Sequence, residues 1–283
     1  MNLKLIGRKG KRGKREKWAR SLGQKTYVST LALGAVLIVS ALVIFLYRLN
    51  EEAVARAEYD VLREIHFAPQ LHRAAEAEAD TDIDTAAETE DTVYDDGAEE
   101  STDYQLLRRL AMEELFEINN DFIGWISIAD LIEYPVVRGT NNFRYLNTTF
   151  MGERNPAGAI FMDYRNTEGF DETISVIYGH LTGAGTMFSE LHRFRNSTFL
   201  DENPYIEITT LEGETLIYRI FAARMTDAWN PAYTLSFTDT DRAIRVFPNA
   251  PRDASRFILL STCTFGPDDD ERFLVFAALV EDD

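Results

Sequence analysis

Apolar residues fall into three regimes along the chain. The first is an unbroken run, Tyr27 to Tyr47, without a charged residue. About 20 apolar residues at ~1.5 Å rise cross the hydrocarbon core of a membrane, and the tyrosines at both ends suit its interfaces. Beyond it, Glu51 to Asp103 holds 18 acids and three arginines. Its first half, 51–73, reads as a short helix continuing from the apolar run. Its second half, 74–100, is too polar to bury a core. The spacing therefore predicts a largely disordered, self-repelling stalk over 48–103. The second regime is helical, with Leu107, Leu110, Ala111, Leu115 and Ile118 on one face before the stop at Asn119-Asn120-Asp121.

From Phe122 onward the period shortens to that of strands. Candidates are 124–128, 134–138, 159–163, 173–178, 205–210, 214–225, 256–262 and 272–280, rich in Ile, Val, Tyr, Phe and Thr and divided by Gly, Asn, Asp and Pro. Leu211-Glu212-Gly213-Glu214 reads as a tight hairpin turn. Eight strands in this length predict a mainly β fold, a closed or nearly closed barrel. Two helical inserts are expected, one over 187–194 capped by Thr186 and one over 239–247 with Ala243, Ile244 and Phe247 on one face. The expected organisation is a basic tail (1–26), an apolar segment (27–47), the stalk (48–103) and one catalytic-size domain (104–283). A chain starting near Ser101 is expected to fold by itself.

Charge changes the picture from fold to compartment. The net charge is −18, yet residues 1–50 carry 11 Lys/Arg against one acid. Basic flanks stay in the cytoplasm, so the predicted topology is single-pass in the cell membrane, N-terminus cytoplasmic and body outside. A cleaved secretory signal is the alternative. Its apolar core runs to about 7–15 residues, and Phe45-Leu46-Tyr47-Arg48 makes a poor cleavage site. The acidic body excludes a nucleic-acid partner, because phosphate repels it. Cys263 is the single cysteine. An exported thiol without a partner is either a small buried hydrophobe or a reactive group.

Three candidate strand ends carry reactive side chains. Ile174 to Tyr178 leads to His180, Phe257 to Thr262 leads to Cys263, and Arg272 opens the last strand. Acyl transfer needs a thiolate, a proton carrier and a stabiliser of the oxyanion. Cys263 can attack a carbonyl, His180 can move the proton and Arg272 supplies permanent positive charge. Each has a plainer reading: core cysteine, turn histidine, surface ion pair with the acids of 268–271. Their order and strand-end placement favour the catalytic one.

Several blocks resemble class B sortases. Tyr178-Gly179-His180 with the following Gly183-Ala184-Gly185-Thr186-Met187-Phe188 is similar to their histidine segment, and Leu260-Ser261-Thr262-Cys263 to their cysteine signature. Arg272 falls where their arginine does. Phe122-Ile123-Gly124-Trp125-Ile126, Tyr134-Pro135-Val136-Val137 and Gly158 to Asp163 also match in order. The resemblance covers about 104–280. It implies the eight-stranded sortase β-barrel with an N-terminal helix, inserted helices and a preceding transmembrane helix. It implies catalysis by His180, Cys263 and Arg272, with Ser261, Thr262 and Leu181 against the substrate. The implied reaction cleaves a C-terminal sorting signal on a secreted protein through a Cys263 thioester. An amine from a peptidoglycan precursor or a pilin then resolves it. Leu181 departs from the family, where Asn is common after the histidine.

No cofactor is implied. No cluster has zinc spacing, and the Gly183-Ala184-Gly185 stretch lacks the lysine of a phosphate-cradling loop. His66 and His72 are assigned to the stalk, and His192 to a partly exposed helix position. Two other readings stay open, a cell-wall cysteine peptidase and an inactive membrane-anchored scaffold or adhesion module. Papain-like enzymes place Cys before His, the reverse of the order here. Every cation after Lys25 is arginine. A surface without lysine amines would spare a thioester from self-capture, although a genomic bias toward arginine explains the pattern equally well.

Overall fold

A computed structural model describes residues 9–83, 102–129, 131–234, 245–247, 249–263 and 270–280. The chain divides into two compact units, Met1–Glu51 and Glu52–Asp283, and helix α1 (Lys9–Ile83) contributes to both. In the first unit α1 carries the apolar run, long and apolar enough by length and composition to cross a membrane. Leu37, Ile38, Phe45 and Leu46 are all exposed there.

The second unit is built on a closed barrel of eight strands in the order β1-β2-β3-β4-β7-β8-β6-β5. The strands are β1 (Phe122–Ile128), β2 (Ile132–Val137), β3 (Ile160–Met162), β4 (Ile174–Tyr178), β5 (Tyr205–Thr210), β6 (Thr215–Asp227), β7 (Phe257–Cys263) and β8 (Glu271–Leu279). Each lies where the sequence pattern places it. α2 (Thr102–Ile118) precedes the barrel and α3 (Ser197–Glu202) interrupts it. β1 closes onto β5 antiparallel, while β2–β3 and β4–β7 run parallel. Parallel neighbours require long crossovers. That of β4–β7 carries the chain from Gly179 through β5 and β6.

The continuous apolar runs of β4, β7 and β8 reflect burial on both faces. Ile258, Leu260, Phe273, Val275 and Ala277 join the main core. Their alternates Phe257, Leu259, Leu274, Phe276 and Ala278 meet Ala232, Phe247 and Ala254 from the β6–β7 connection. Residues 239–244 of the second predicted insert lie outside the described residues. The first insert differs from expectation: it is a 3-10 helix over Ser189–Arg195. Met187 has φ +57 and cannot start a helix, and the Thr186 hydroxyl bonds Thr182 Oγ1 at 2.8 Å instead.

The compact unit begins at Glu52, well before the predicted boundary at 104. Ala55, Tyr59, Leu62 and His66 are buried. They recur at intervals of four, three and four residues, one stripe of a helix. The Tyr59 ring meets Tyr134 edge-on at 5.1 Å, and the His66 ring stacks on Trp125 at 4.3 Å. Arg63 Nε donates to the Glu133 carbonyl at 3.0 Å. Residues 52–66 of the expected stalk thus cover the β1–β2 side of the barrel. α1 continues through 67–83, so residues 74–83, expected to be disordered, are helical; residues 84–101 of the stalk lie outside the described residues.

Candidate active site

Local packing fixes each of the three reactive side chains. β4 runs beside β7 with Tyr178 opposite Ser261, and Gly179 N donates to Ser261 O at 3.1 Å. The next residue is His180. Only glycine fits at 179, since a Cβ there would stand 2.5 Å from both Ile160 Cδ1 and Phe188 Cγ. His180 Nε2 lies 2.7 Å from the Leu146 carbonyl. A carbonyl oxygen only accepts, so Nε2 carries a proton and Nδ1 is the ring position left for proton exchange.

Cys263 ends β7. Six buried residues precede it, and it alone of the strand is exposed. It is a free thiol. Its register partner on β8 is Arg272, and directly opposed residues on antiparallel strands sit about 4.5–5.5 Å apart. The Arg272 guanidinium donates from Nη1 to its neighbour's Glu271 carbonyl at 2.8 Å. His180, Cys263 and Arg272 all line one cavity of about 680 Å³. Leu146, Trp229 and Thr262 line it as well. Trp229, 82% exposed, offers an apolar surface at its edge.

The walls are held by a polar network beneath them. Asp163 is fully buried and receives Arg165 through two bonds of 2.7 and 2.8 Å, Tyr178 Oη at 2.9 Å and Asn142 Nδ2 at 3.0 Å. Burial alone would raise its pKa. The hydrogen bonds outweigh that and hold the carboxyl below its ordinary value. Asp163 thereby orients two residues that face the cavity, Tyr178 and Asn142. Tyr178 stacks on Tyr233 at 6.2 Å, and Tyr233 Oη shares a 2.7 Å hydrogen bond with Ser261 Oγ. Burial raises the Tyr233 pKa, opposed by that bond and by the charge of Arg272.

The expected site residues separate into two groups. His180, Cys263, Arg272, Ser261 and Thr262 line the common cavity. Leu181 pairs with Met187 in an isolated bridge and is not among the described residues lining it. Leu146, Asn142, Trp229, Tyr233 and His192 are not legible as site residues in the sequence. Leu146 acts through its backbone, which leaves no mark in residue type. His192 Nε2 donates to the Cys263 carbonyl at 3.0 Å and its ring stacks on Phe273 at 4.9 Å. Among the described residues no acidic, His or Cys cluster could hold a metal ion.

Comparison with known proteins places this geometry in context. A family model described as the sortase domain matches residues 126–280, more than half of the chain. Over 94 residues the chain is 37% identical to sortase B of Listeria monocytogenes, a stretch that is 33% of this chain and 38% of that relative. The chain spans less than half the length of the curated relatives it matches. Among solved structures it is similar to Clostridium perfringens sortase B, with TM-score 0.54 and 27% identity over 60% of this chain and 99% of that one. It is also similar to a Streptococcus pyogenes class B sortase involved in pilus biogenesis, with TM-score 0.52 and 30% identity over 59% and 97%.

Proposed function

The chain belongs to the sortase family, and from that premise we propose that it is a membrane-anchored cysteine transpeptidase. The observation that carries the proposal is the meeting of an exposed, unpaired thiol with His180 and Arg272 on one cavity. In this reading the Cys263 thiol passes its proton to Nδ1 of His180, and the resulting thiolate attacks a peptide carbonyl of a secreted protein's C-terminal sorting signal. Arg272 stabilises the negative charge that develops on oxygen. The C–N bond then breaks, and His180 gives its proton to the departing amine. A thioester on Cys263 remains. An incoming amine attacks it, loses a proton to His180 and expels the thiolate, which takes that proton back from His180, so the enzyme returns unchanged. The amine belongs to a cell-wall peptide or a pilin.

Tyr27–Tyr47 spans the cell membrane in this reading, with the basic tail inside and the barrel outside. The test uses the full chain in detergent micelles, a panel of peptides with candidate sorting sequences and a short peptide amine as acceptor. Wild type releases the C-terminal fragment and joins the remainder to the amine. Cys263→Ala does neither while melting at the same temperature. Transfer that survives in Cys263→Ala would rule the proposal out.

A further inference from the structure

We propose that Tyr59, on the helix turn that docks against the barrel, is a positioning residue for His180. The inference rests on the transpeptidase reading and adds a remote support to its proton carrier. Tyr59 is 2% exposed, and its hydroxyl donates to the Gly158 carbonyl at 2.8 Å across 99 residues of sequence. The same peptide unit continues into Ala159, whose N–H donates to the Tyr145 carbonyl at 3.0 Å. A peptide is planar and its two polar groups point opposite ways. Fixing the Gly158 carbonyl therefore fixes the donor that holds Tyr145. The next carbonyl along, that of Leu146, is the one that receives His180 Nε2–H.

Gly158 also forms the floor under the imidazole. It has φ +62, and a Cβ there would collide with the Tyr145 carbonyl and stand 3.1 Å from His180 Cδ2. The histidine thus rests on backbone that Tyr59 pins from the far side. A second contact works on the chain after the histidine. The Tyr59 ring packs edge-on against Tyr134, and Tyr134 Oη accepts from Met187 N at 3.1 Å. Met187 pairs with Leu181, the residue following His180. One buried tyrosine therefore braces the acceptor of the imidazole and the segment that carries it.

The experiment is proton exchange at the His180 ring, read by NMR on the full chain in detergent micelles. The Nε2–H resonance is assigned by its loss in His180→Ala. Tyr59→Phe keeps the ring and removes only the hydroxyl. Losing one hydrogen bond in the relay should speed exchange of that proton roughly five- to tenfold. Glu58→Ala is the control. It removes the Glu58 carboxylate that accepts from Met151 N at 2.8 Å on the neighbouring loop, outside the relay. It should leave the His180 proton at the wild-type rate even if the protein melts earlier. Wild-type exchange in Tyr59→Phe, or equal acceleration in Glu58→Ala, would overturn the inference. No substrate enters this measurement, so its failure is separate from any failure of the transpeptidase assay.

Discussion

Lowering the pH from 7 to 5 should loosen the docked helix through His66. This imidazole is 4% exposed and stacked on Trp125. Burial, reinforced by the charge of Arg108, drops its pKa from 6.5 to about 3. The folded state therefore keeps His66 neutral where the unfolded chain takes up a proton. A histidine with a depressed pKa contributes its stability above the unfolded value and loses it as pH falls below that value, down to the folded one. Each pH unit inside that window is worth about 1.4 kcal/mol. Between pH 7 and 5 only the part below 6.5 counts, so His66 should remove about 2 kcal/mol. The assay is urea unfolding of the full chain at both pH values, for wild type and His66→Phe. Phenylalanine keeps the aromatic stack and cannot titrate. The drop from pH 7 to 5 should be about 2 kcal/mol smaller in the variant. Equal drops in the two proteins would refute the reasoning.

Three further outcomes are expected. Arg272→Lys keeps the charge and loses the planar fork, so turnover should fall about a hundredfold, as measured by product formation at saturating peptide; near-normal rates would remove Arg272 from the mechanism. Chains starting at Glu52 and at Ser101 should differ in stability by on the order of 5 kcal/mol, from the lost burial of Tyr59, Leu62 and His66, and equal urea midpoints would show that the helix adds nothing. Gly179→Ala places a methyl 2.5 Å from Ile160 and Phe188. It should cost about 1–3 kcal/mol by overpacking, read as a lower melting temperature together with slower turnover.

Strand positions were legible because β-branched and aromatic runs bounded by turn residues leave few alternatives. β5 covers the predicted 205–210, and the others agree within about two residues. The strand ends bearing His180, Cys263 and Arg272 followed from those runs. Their convergence did not, since it depends on β4 pairing parallel with β7 and on Cys263 facing Arg272 across β8. The docked helix had a signal that the acid content masked. Ala55, Tyr59, Leu62 and His66 mark a helical stripe, but Glu51, Glu52, Glu58, Asp60 and Glu64 among them suggested a solvated stalk. Asp60 and Glu64 are exposed on the outer face, which is compatible with burial of one stripe, while Glu58 is buried and accepts from Met151 N. The packing of His66 and His192 is hidden from the sequence for a related reason. Their partners, Trp125 and the Cys263 carbonyl, are distant in sequence. The Leu146 carbonyl, and the Gly158 carbonyl that Tyr59 holds, contribute as backbone, which residue type does not reveal.

The covalent intermediate offers the most direct test of the claim that thiol, imidazole and guanidinium serve one reaction. The full chain, mixed with a cleaved peptide in the absence of acceptor amine and quenched in acid, would be measured as an intact mass. The account predicts an adduct equal to the acyl fragment, mapped to Cys263, removed by hydroxylamine and absent from Cys263→Ala. Rapid peptide cleavage with the adduct absent, or with the acyl group on another residue, would contradict it.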